Sequence, residues 1–501
     1  MKPLDLANRR VDGGFFVHNG RNPQPYRWPE ADGSNYEIVG TYKESGAPVR
    51  DCLVKMIREA ENRIFVASFM LGDESVIKEL LLAAERLKGG VYVITALDER
   101  SLRRGLQEYD ETEEAPEERR KNFARLTSGG IYVRGHEECH AKFAVADRSV
   151  AIVGSANFVT NGFEWTGELN VVVRDPAQVN RVRAFFTQLW YEGCSWEVPP
   201  GPVYTVSQRQ LTQSPVRPDS CDQTGNRFVW TNGSENISLL QAIRHVTDGS
   251  TGELLLSTFS IVGMTQHPTL ILEHLSRAVS RGVGVRLLIR QRNAWPEQMK
   301  ELLALHDLGI EIYGDLRNHA KAVVADRRLG VVFSANFDAA HGLNSGVEAG
   351  VLLNEPGTVG QISQYIDHAI ANADTEFVRN PTHAELDGRL AARWCSPWPG
   401  KCKLSIQGPE EVSRAFDREV STGPVLFEQT EDGGLTLFAG RSGLSIEQST
   451  AESYRTDRGL LPQNLTTCER LTNWLTSVRR RTENGQKVMR GFCPAVIHWN
   501  P

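Results

Sequence analysis

Residues 140–158 read HAKFAVADRSVAIVGSANF, and residues 319–337 read HAKAVVADRRLGVVFSANF. Each stretch has an apolar run, a turn at Asp-Arg, a second apolar run, and a small-residue turn at Ser-Ala-Asn. A His-x-Lys-x4-Asp pattern alone should arise by chance on the order of a few hundredths of a time in such a chain. Here it occurs twice, each time with Ser-Ala-Asn-Phe at the same offset. The chain therefore contains an internal repeat.

The repeat extends upstream. IFVASFM (64–70) reads as a strand, and SVIKELLLAAERL (75–87) carries helical spacing with Ser75 as an expected N-cap; Gly89–Gly90 then precede the strand VYVITAL. The second half has LLLSTFSI (254–261), the helical TLILEHLSRAVS, a break at Arg281–Gly282, and VGVRLLI. Glycine-opened strands GGIYVRG (129–135) and LGIEIYG (308–314) then lead to each His-Ala-Lys. Strands alternating with helices predict an α/β fold: two mainly parallel sheets, helices on their faces, related by a pseudo-twofold. With Phe69 aligned to Phe259, the first half has a surplus of 11 residues, which falls at EYDETEEAPEERR (108–120), expected to be a solvated helix or loop rather than a lid. The expected organisation is an N-terminal extension at 1–44, a first domain at 45–197, a connector at 198–236, a second domain at 237–378, and a C-terminal extension at 379–501. The extension reads as small α+β, with a hairpin-like VLFEQTEDGGLTLF and a basic run at Arg479–Arg481.

Composition narrows the function. With 56 Lys+Arg against 62 Asp+Glu the net charge is −6, which excludes binding nucleic acid by bulk charge but not a local basic groove. No apolar run approaches the roughly 20 residues of a membrane span, and the opening MKPLDLANRRVDGG lacks a secretory core, so a cytoplasmic protein is expected. The eight cysteines include no CxxC pair and read as reduced, mostly buried thiols.

Chemistry points to the repeated triplets. Alternate residues of a strand share a face, so His140 projects beside Lys142 and His319 beside Lys321. An imidazole next to a fixed cation suits attack on an anionic centre. Asn157 and Asn336 can donate amide hydrogens to that anion, and Ser155 and Ser334 hydroxyl hydrogens. If the pseudo-twofold brings the halves face to face, these groups converge on one phosphate without needing a metal or cofactor. HEECH (136–140) fits a metalloprotease pattern, but that chemistry needs a helix, and here strands flank the segment. A duplicated fold with a decayed site is the alternative.

At these residues the sequence resembles the phospholipase D superfamily, whose signature is HxK-x4-D-x6-GSxN in two copies. His140, Lys142, Asp147, Gly154, Ser155 and Asn157 match one copy, and His319, Lys321, Asp326, Ser334 and Asn336 match the other. Phe333 stands where the second glycine belongs, which is expected to loosen phosphate binding there or narrow the pocket. Glu168 and Glu348 sit where family members often carry a glutamate that hydrogen-bonds a catalytic histidine. The resemblance covers roughly 45–195 and 237–378. It implies two phospholipase D-like α/β/α domains and a two-step displacement through a phosphohistidine, with His140 as nucleophile and His319 as acid/base.

For the substrate, Arg277, Arg281, Arg286, Arg290, Arg292, Trp295 and the Arg317–Asn318 pair suit phosphate contact with base stacking. The expectation is a nuclease with nucleic acid as partner. A phospholipid-cleaving or transferring enzyme is the second reading, and a non-catalytic nucleic-acid-binding module the third.

Overall fold

The computed structural model describes residues 10–19, 23–29, 33–43, 45–96, 116–219, 225–233, 236–291, 296–339, 342–382 and 385, together with strands at 4–5, 403–407, 425–429, 435–439, 444–448 and 496–500. The chain divides into two compact units. The larger, Pro23–Arg290 with Asp307–Asn372, contains both His-x-Lys motifs and most of each repeat; the smaller is Met1–Asn22, Gln291–His306 and Ala373–Pro501.

The first repeat forms one sheet. Its strands lie in the order Ser207–Gln208, Trp196–Val198, Tyr132–Gly135, Val91–Thr95, Ile64–Ala67, Phe143–Ala146, Val150–Gly154, Glu168–Val173 and Tyr36–Thr41. The second repeat follows the same plan within its unit. Asn236–Ile237, Arg227–Asn232, Val347–Leu353, Leu329–Phe333, Ala322–Ala325, Glu253–Thr258, Gly284–Arg290 and Glu311–Asp315 are neighbours in that order. The expected α/β architecture of two like domains is therefore present, with two differences. The sheets are mixed: three strands of each are parallel, and the rest pair antiparallel. Each His-Lys strand turns back within a few residues at Asp-Arg, too short a link for a parallel crossover. The sheets also recruit strands from beyond the repeat. Tyr36–Thr41 pairs with Glu168–Val173, and Arg227–Asn232, inside the expected connector, pairs with Val347–Leu353.

Burial explains the reading of the central strands. Ile64–Ala67, Phe143–Ala146 and Ala322–Ala325 are buried at every position, as strands covered on both faces must be. Helices Pro48–Glu59 and Glu74–Arg86 set Leu53, Ile57, Val76, Ile77 and Leu80 into that core. The second helix is capped by Asp73, not Ser75: its carboxylate accepts from Val76 N at 3.1 Å. The end of the acidic stretch is not a solvated helix throughout. Pro116–Ser128 is helical, but Arg119 and Asn122 are buried, and Arg119 donates to Phe69 O and Thr95 Oγ1. Residues 108–115 lie outside the described residues.

In the smaller unit, Gly14–His18 pairs antiparallel with Thr375–Arg379. The hairpin-like segment forms strands Val425–Gln429 and Leu435–Ala439, joined by a third at Leu444–Gln448. Lys403–Gln407 lies between Leu4–Asp5 and Val496–Asn500. Arg479–Arg481 lies outside the described residues. Cys52, Cys139 and Cys194 are free thiols.

The motif aspartates Asp147 and Asp326, expected among the catalytic residues, are bound into the fold. Both adopt left-handed backbone (φ 55° and 50°) at the Asp-Arg turn, where Asp is tolerated. Asp147 accepts from the N–H groups of Glu61, Asn62 and Arg63, and Asp326 from those of Thr251, Gly252 and Glu253 and from Thr251 Oγ1. Each ties the turn to the chain entering the central strand. Seven residues of mostly extended chain, roughly 20 Å, separate each from its histidine. Burial works against ionisation of Asp326, but the donors from Glu253, Gly252 and Thr251 prevail and hold its carboxyl at about 2. A depressed carboxyl stabilises the fold above its ordinary range, near 3.9, and that contribution fades as pH falls from about 4 toward 2. Asp326→Ala is expected to cost about 2 kcal/mol of stability at neutral pH, read by denaturant unfolding, and to flatten the acid dependence in that window. An unchanged midpoint would contradict this role.

Candidate active site

Reciprocal backbone bonds join the two repeats beside their histidines. His140 N donates to Val347 O (3.0 Å), and Val347 N to Glu138 O (3.0 Å). In the same pattern His319 N donates to Gly167 O (2.9 Å), and Gly167 N to Arg317 O (2.8 Å). Each histidine is thus seated on the segment that opens the other repeat's glutamate strand.

Carboxylates follow the same exchange. His140 Nδ1 lies 2.8 Å from Glu348 Oε1, and His319 Nδ1 lies 2.8 Å from Glu168 Oε1. Both glutamates are buried, so each carboxylate needs its partners. With Nδ1 bound as donor to carboxylate, Nε2 of each ring carries the lone pair and faces away from it. Burial disfavours ionisation of Glu168, but His319, Lys321 and Ser155 outweigh it and keep the carboxyl below its ordinary range.

The serines complete this layer. Ser155 Oγ donates to Glu168 Oε2 and accepts from Leu169 N (3.0 Å); Ser334 Oγ donates to Glu348 Oε2 and accepts from Ala349 N (3.0 Å). The hydroxyl protons of these serines, expected to contact phosphate, are here given to the glutamates. A chain Ser155–Glu168–His319 and its counterpart Ser334–Glu348–His140 each cross between repeats. Thr166 Oγ1 adds a donor to Glu168 at 2.8 Å.

Lys142 and Lys321 are fully buried, and each Nζ reaches back to the carbonyl of its own histidine (2.5 and 2.8 Å). Each also lies 5.6 Å from the ring centre of a phenylalanine, Phe69 for Lys142 and Phe259 for Lys321. Burial pushes the Lys321 ammonium down to about 7, against the pull of Glu168. Burial also lowers both imidazoles: His319 falls to about 4 and His140 falls below its ordinary value, each opposed by its glutamate and reinforced by both lysines. Each imidazole thus lies within the field of both lysines, which with burial favours its neutral form.

Asn157 and Asn336 each bury a side-chain oxygen that takes no hydrogen bond. A half-turn of either amide exchanges that oxygen for N–H groups, the arrangement an anion would select. Phe69 and Phe259 are further site residues, with ring centres 5.2 Å and 5.1 Å from those of His140 and His319. They were visible as equivalent positions of the repeat but carry no polar chemistry to mark them.

Phe333 does not intrude on the site. It is buried, stacks on Phe337 and pairs across the sheet with Gly350. In the first repeat the small residue is Gly154 and its partner is Asn170. A Cβ on Gly154 would meet Asn170 Oδ1 at 2.4 Å, and one on Gly350 would meet Phe333 Cβ at 2.8 Å. Large and small have exchanged across the sheet, so the departure is a core substitution with its compensation, and the expected loosening or narrowing has no basis. The HEECH segment is a turn; the His136 ring packs close to Gly193, and His140 belongs to Glu348.

The arginines expected to grip nucleic acid are mostly engaged in the fold. Arg277 bonds Asp248, Arg281 the carbonyls of Asp248 and Ser250, and Arg286 both Glu253 and Asp367. Arg290 is buried over Phe259, and Asn318 donates to Thr258 O. Arg292 and Trp295 lie outside the described residues.

A family model described as "Cardiolipin synthase, PLD-like domain" matches residues 53–190 and 243–370, a little over half of the chain. The chain belongs to the phospholipase D superfamily. Members of this superfamily are phosphodiesterase-type enzymes. Among similar proteins is "Probable cardiolipin synthase YwiE" of Bacillus subtilis (strain 168), 27% identical over 163 residues, which are 32% of this chain and 30% of that protein. The match thus spans under a third of the relative's own length. The phosphatidylserine synthase of Haemophilus influenzae Rd KW20 shares the fold at a TM-score of 0.52 and 13% identity, over 75% of this chain and 90% of that one. Among the described residues of this phospholipase D-type chain, no helix is long and apolar enough to cross a membrane.

Proposed function

We propose that this protein cleaves or transfers the phosphodiester of a phospholipid through a phosphohistidine. The observation that carries the chemistry is the crossed pair of Glu–His contacts, each orienting an Nε2 within the field of two buried lysines. In the first step His140 Nε2 attacks phosphorus and forms the N–P bond. The P–O bond to the headgroup alcohol breaks, and His319 Nε2–H gives its proton to that oxygen. The bound anion offsets the lysine charge that otherwise opposes protonation of His319. In the second step His319 Nε2 takes a proton from water or an acceptor alcohol, whose oxygen attacks phosphorus and breaks the N–P bond. Lys142, Lys321 and the amides of Asn157 and Asn336 stabilise the charge on the equatorial oxygens.

Support for a lipid comes from the cardiolipin synthase named in the family model and in the Bacillus subtilis relative. The arginine signal that favoured a nuclease loses its force because Arg277, Arg281 and Arg286 are spent on carboxylates and carbonyls. The test is a substrate panel run with wild type and His140→Ala: phosphatidylglycerol and phosphatidylcholine vesicles, single-stranded and duplex DNA, and RNA. Headgroup release or a new diester from vesicles, lost in the variant, is expected, and excess EDTA should leave the rate within about twofold because lysines supply the charge. Cleavage of DNA or RNA with lipid untouched would return the nuclease reading. Salt-sensitive nucleic-acid binding without any turnover would return the binding module. Activity lost to EDTA and restored by a divalent ion would overturn the metal-free route.

A further inference from the structure

The pseudo-twofold that equates the two histidines is broken at the rim beside them. The backbone bridge Gly167↔Asn318 and its counterpart Val347↔Cys139 are equivalent, each lying next to one histidine. Flanking the first are Trp165, 45% exposed, and Arg317, whose guanidinium lies 5.1 Å from the indole centre. The repeat puts Ser345 and Glu138 at the matching positions of the second, with Glu137 beside it. Glu137 and Glu138 are exposed. One lip of the site is therefore aromatic and cationic; the other places small and acidic residues at the matching positions, with Glu137 accepting from the Trp196 indole at 3.1 Å.

Fold requirements do not account for Trp165. It follows the short helix Thr160–Glu164, where its backbone N–H caps Asn161 O. That bond needs no side chain, and the indole is among the most exposed large hydrophobic groups of the described residues. Its backbone stands two residues, roughly 7 Å, from Gly167, whose carbonyl receives His319 N. An indole with an apolar body and a polar edge suits the boundary between acyl chains and water, and a guanidinium suits a phosphate.

Resting on the lipid reading above, we infer that Trp165 and Arg317 form a lip beside His319 that docks the site on a surface of anionic phospholipid.

The experiment compares phosphatidylglycerol vesicles with bis-para-nitrophenyl phosphate, a small soluble diester that has no acyl chain to dock. Trp165→Ala and Arg317→Gln should each raise the apparent KM on vesicles by about tenfold, while kcat/KM on the soluble diester falls by no more than about threefold. Trp165→Phe should recover most of the vesicle KM. Leu82→Ala removes an exposed apolar group elsewhere, on the helix Glu74–Arg86, and should match wild type on both substrates. Cosedimentation of the same variants with vesicles should weaken in parallel. If the wild type turns over vesicles and both lip variants match it, the lip is not the docking element and the lipid reading stands. Equal losses on vesicles and on the soluble diester would overturn the inference in favour of a structural role. Should the wild type cleave the soluble diester yet neither bind nor cleave vesicles, both the inference and the lipid reading fail.

Discussion

His140→Ala is expected to lower turnover by at least about a thousandfold, because loss of the nucleophile removes the covalent route and leaves only binding and charge stabilisation. His319→Ala should be similarly inactive on a natural diester, whose alkoxide needs a proton to leave. The two variants should part on an activated aryl diester. Its leaving group departs unprotonated, so in His319→Ala the His140 Nε2–P bond still forms. Breakdown then lacks its base, and the phosphoenzyme accumulates. Acid-labile phosphate should therefore be recovered on protein from His319→Ala and not from His140→Ala. The reverse pattern would exchange the two roles. Label on neither variant, with both inactive, would argue against a covalent intermediate.

The second large effect concerns the crossed carboxylates. Glu168 holds His319 and Glu348 holds His140, so each substitution should reproduce the defect of the opposite repeat's histidine. Glu168→Gln is expected to lower kcat by about a hundredfold to ten-thousandfold, because the amide holds the ring less well and stabilises its protonated form poorly. It should accumulate phosphoenzyme from the aryl diester, as His319→Ala does. Glu348→Gln should slow formation of the intermediate instead, and show no accumulation. Pairing within a repeat would give the opposite assignment, so single-turnover labelling of these two variants tests the exchange directly. Both glutamates are buried, and thermal melts beside the kinetics separate misfolding from misorientation.

Much of this protein is legible in its sequence because much of the signal is local. Apolar runs of strand length, Gly89–Gly90 and the Asp-Arg turns mark the elements. Repetition then equates the halves position by position, which identifies His140 with His319 and Phe69 with Phe259. Residue type, however, does not say which partner each motif position takes. By type alone Asp147 and Ser155 are polar groups of a motif; the partners they take, Asn62 N–H and the Glu168 carboxylate, are not marked in it. Arginines near one another along the chain read as a groove, yet Arg286 answers Asp367, a carboxylate distant in sequence. The Phe333 departure looks like damage until Gly350 is seen opposite it.

By itself, then, the sequence determined the duplicated α/β scaffold, the family and the set of polar groups available, because spacing and turn chemistry act within a few residues. Only the tertiary structure decided which group each of them serves. The His140–Glu348 and His319–Glu168 contacts join positions 208 and 151 residues apart. A buried carboxylate takes whichever donor the packed sheets bring within hydrogen-bond reach, and that geometry is a property of the assembled core, with no record in local spacing.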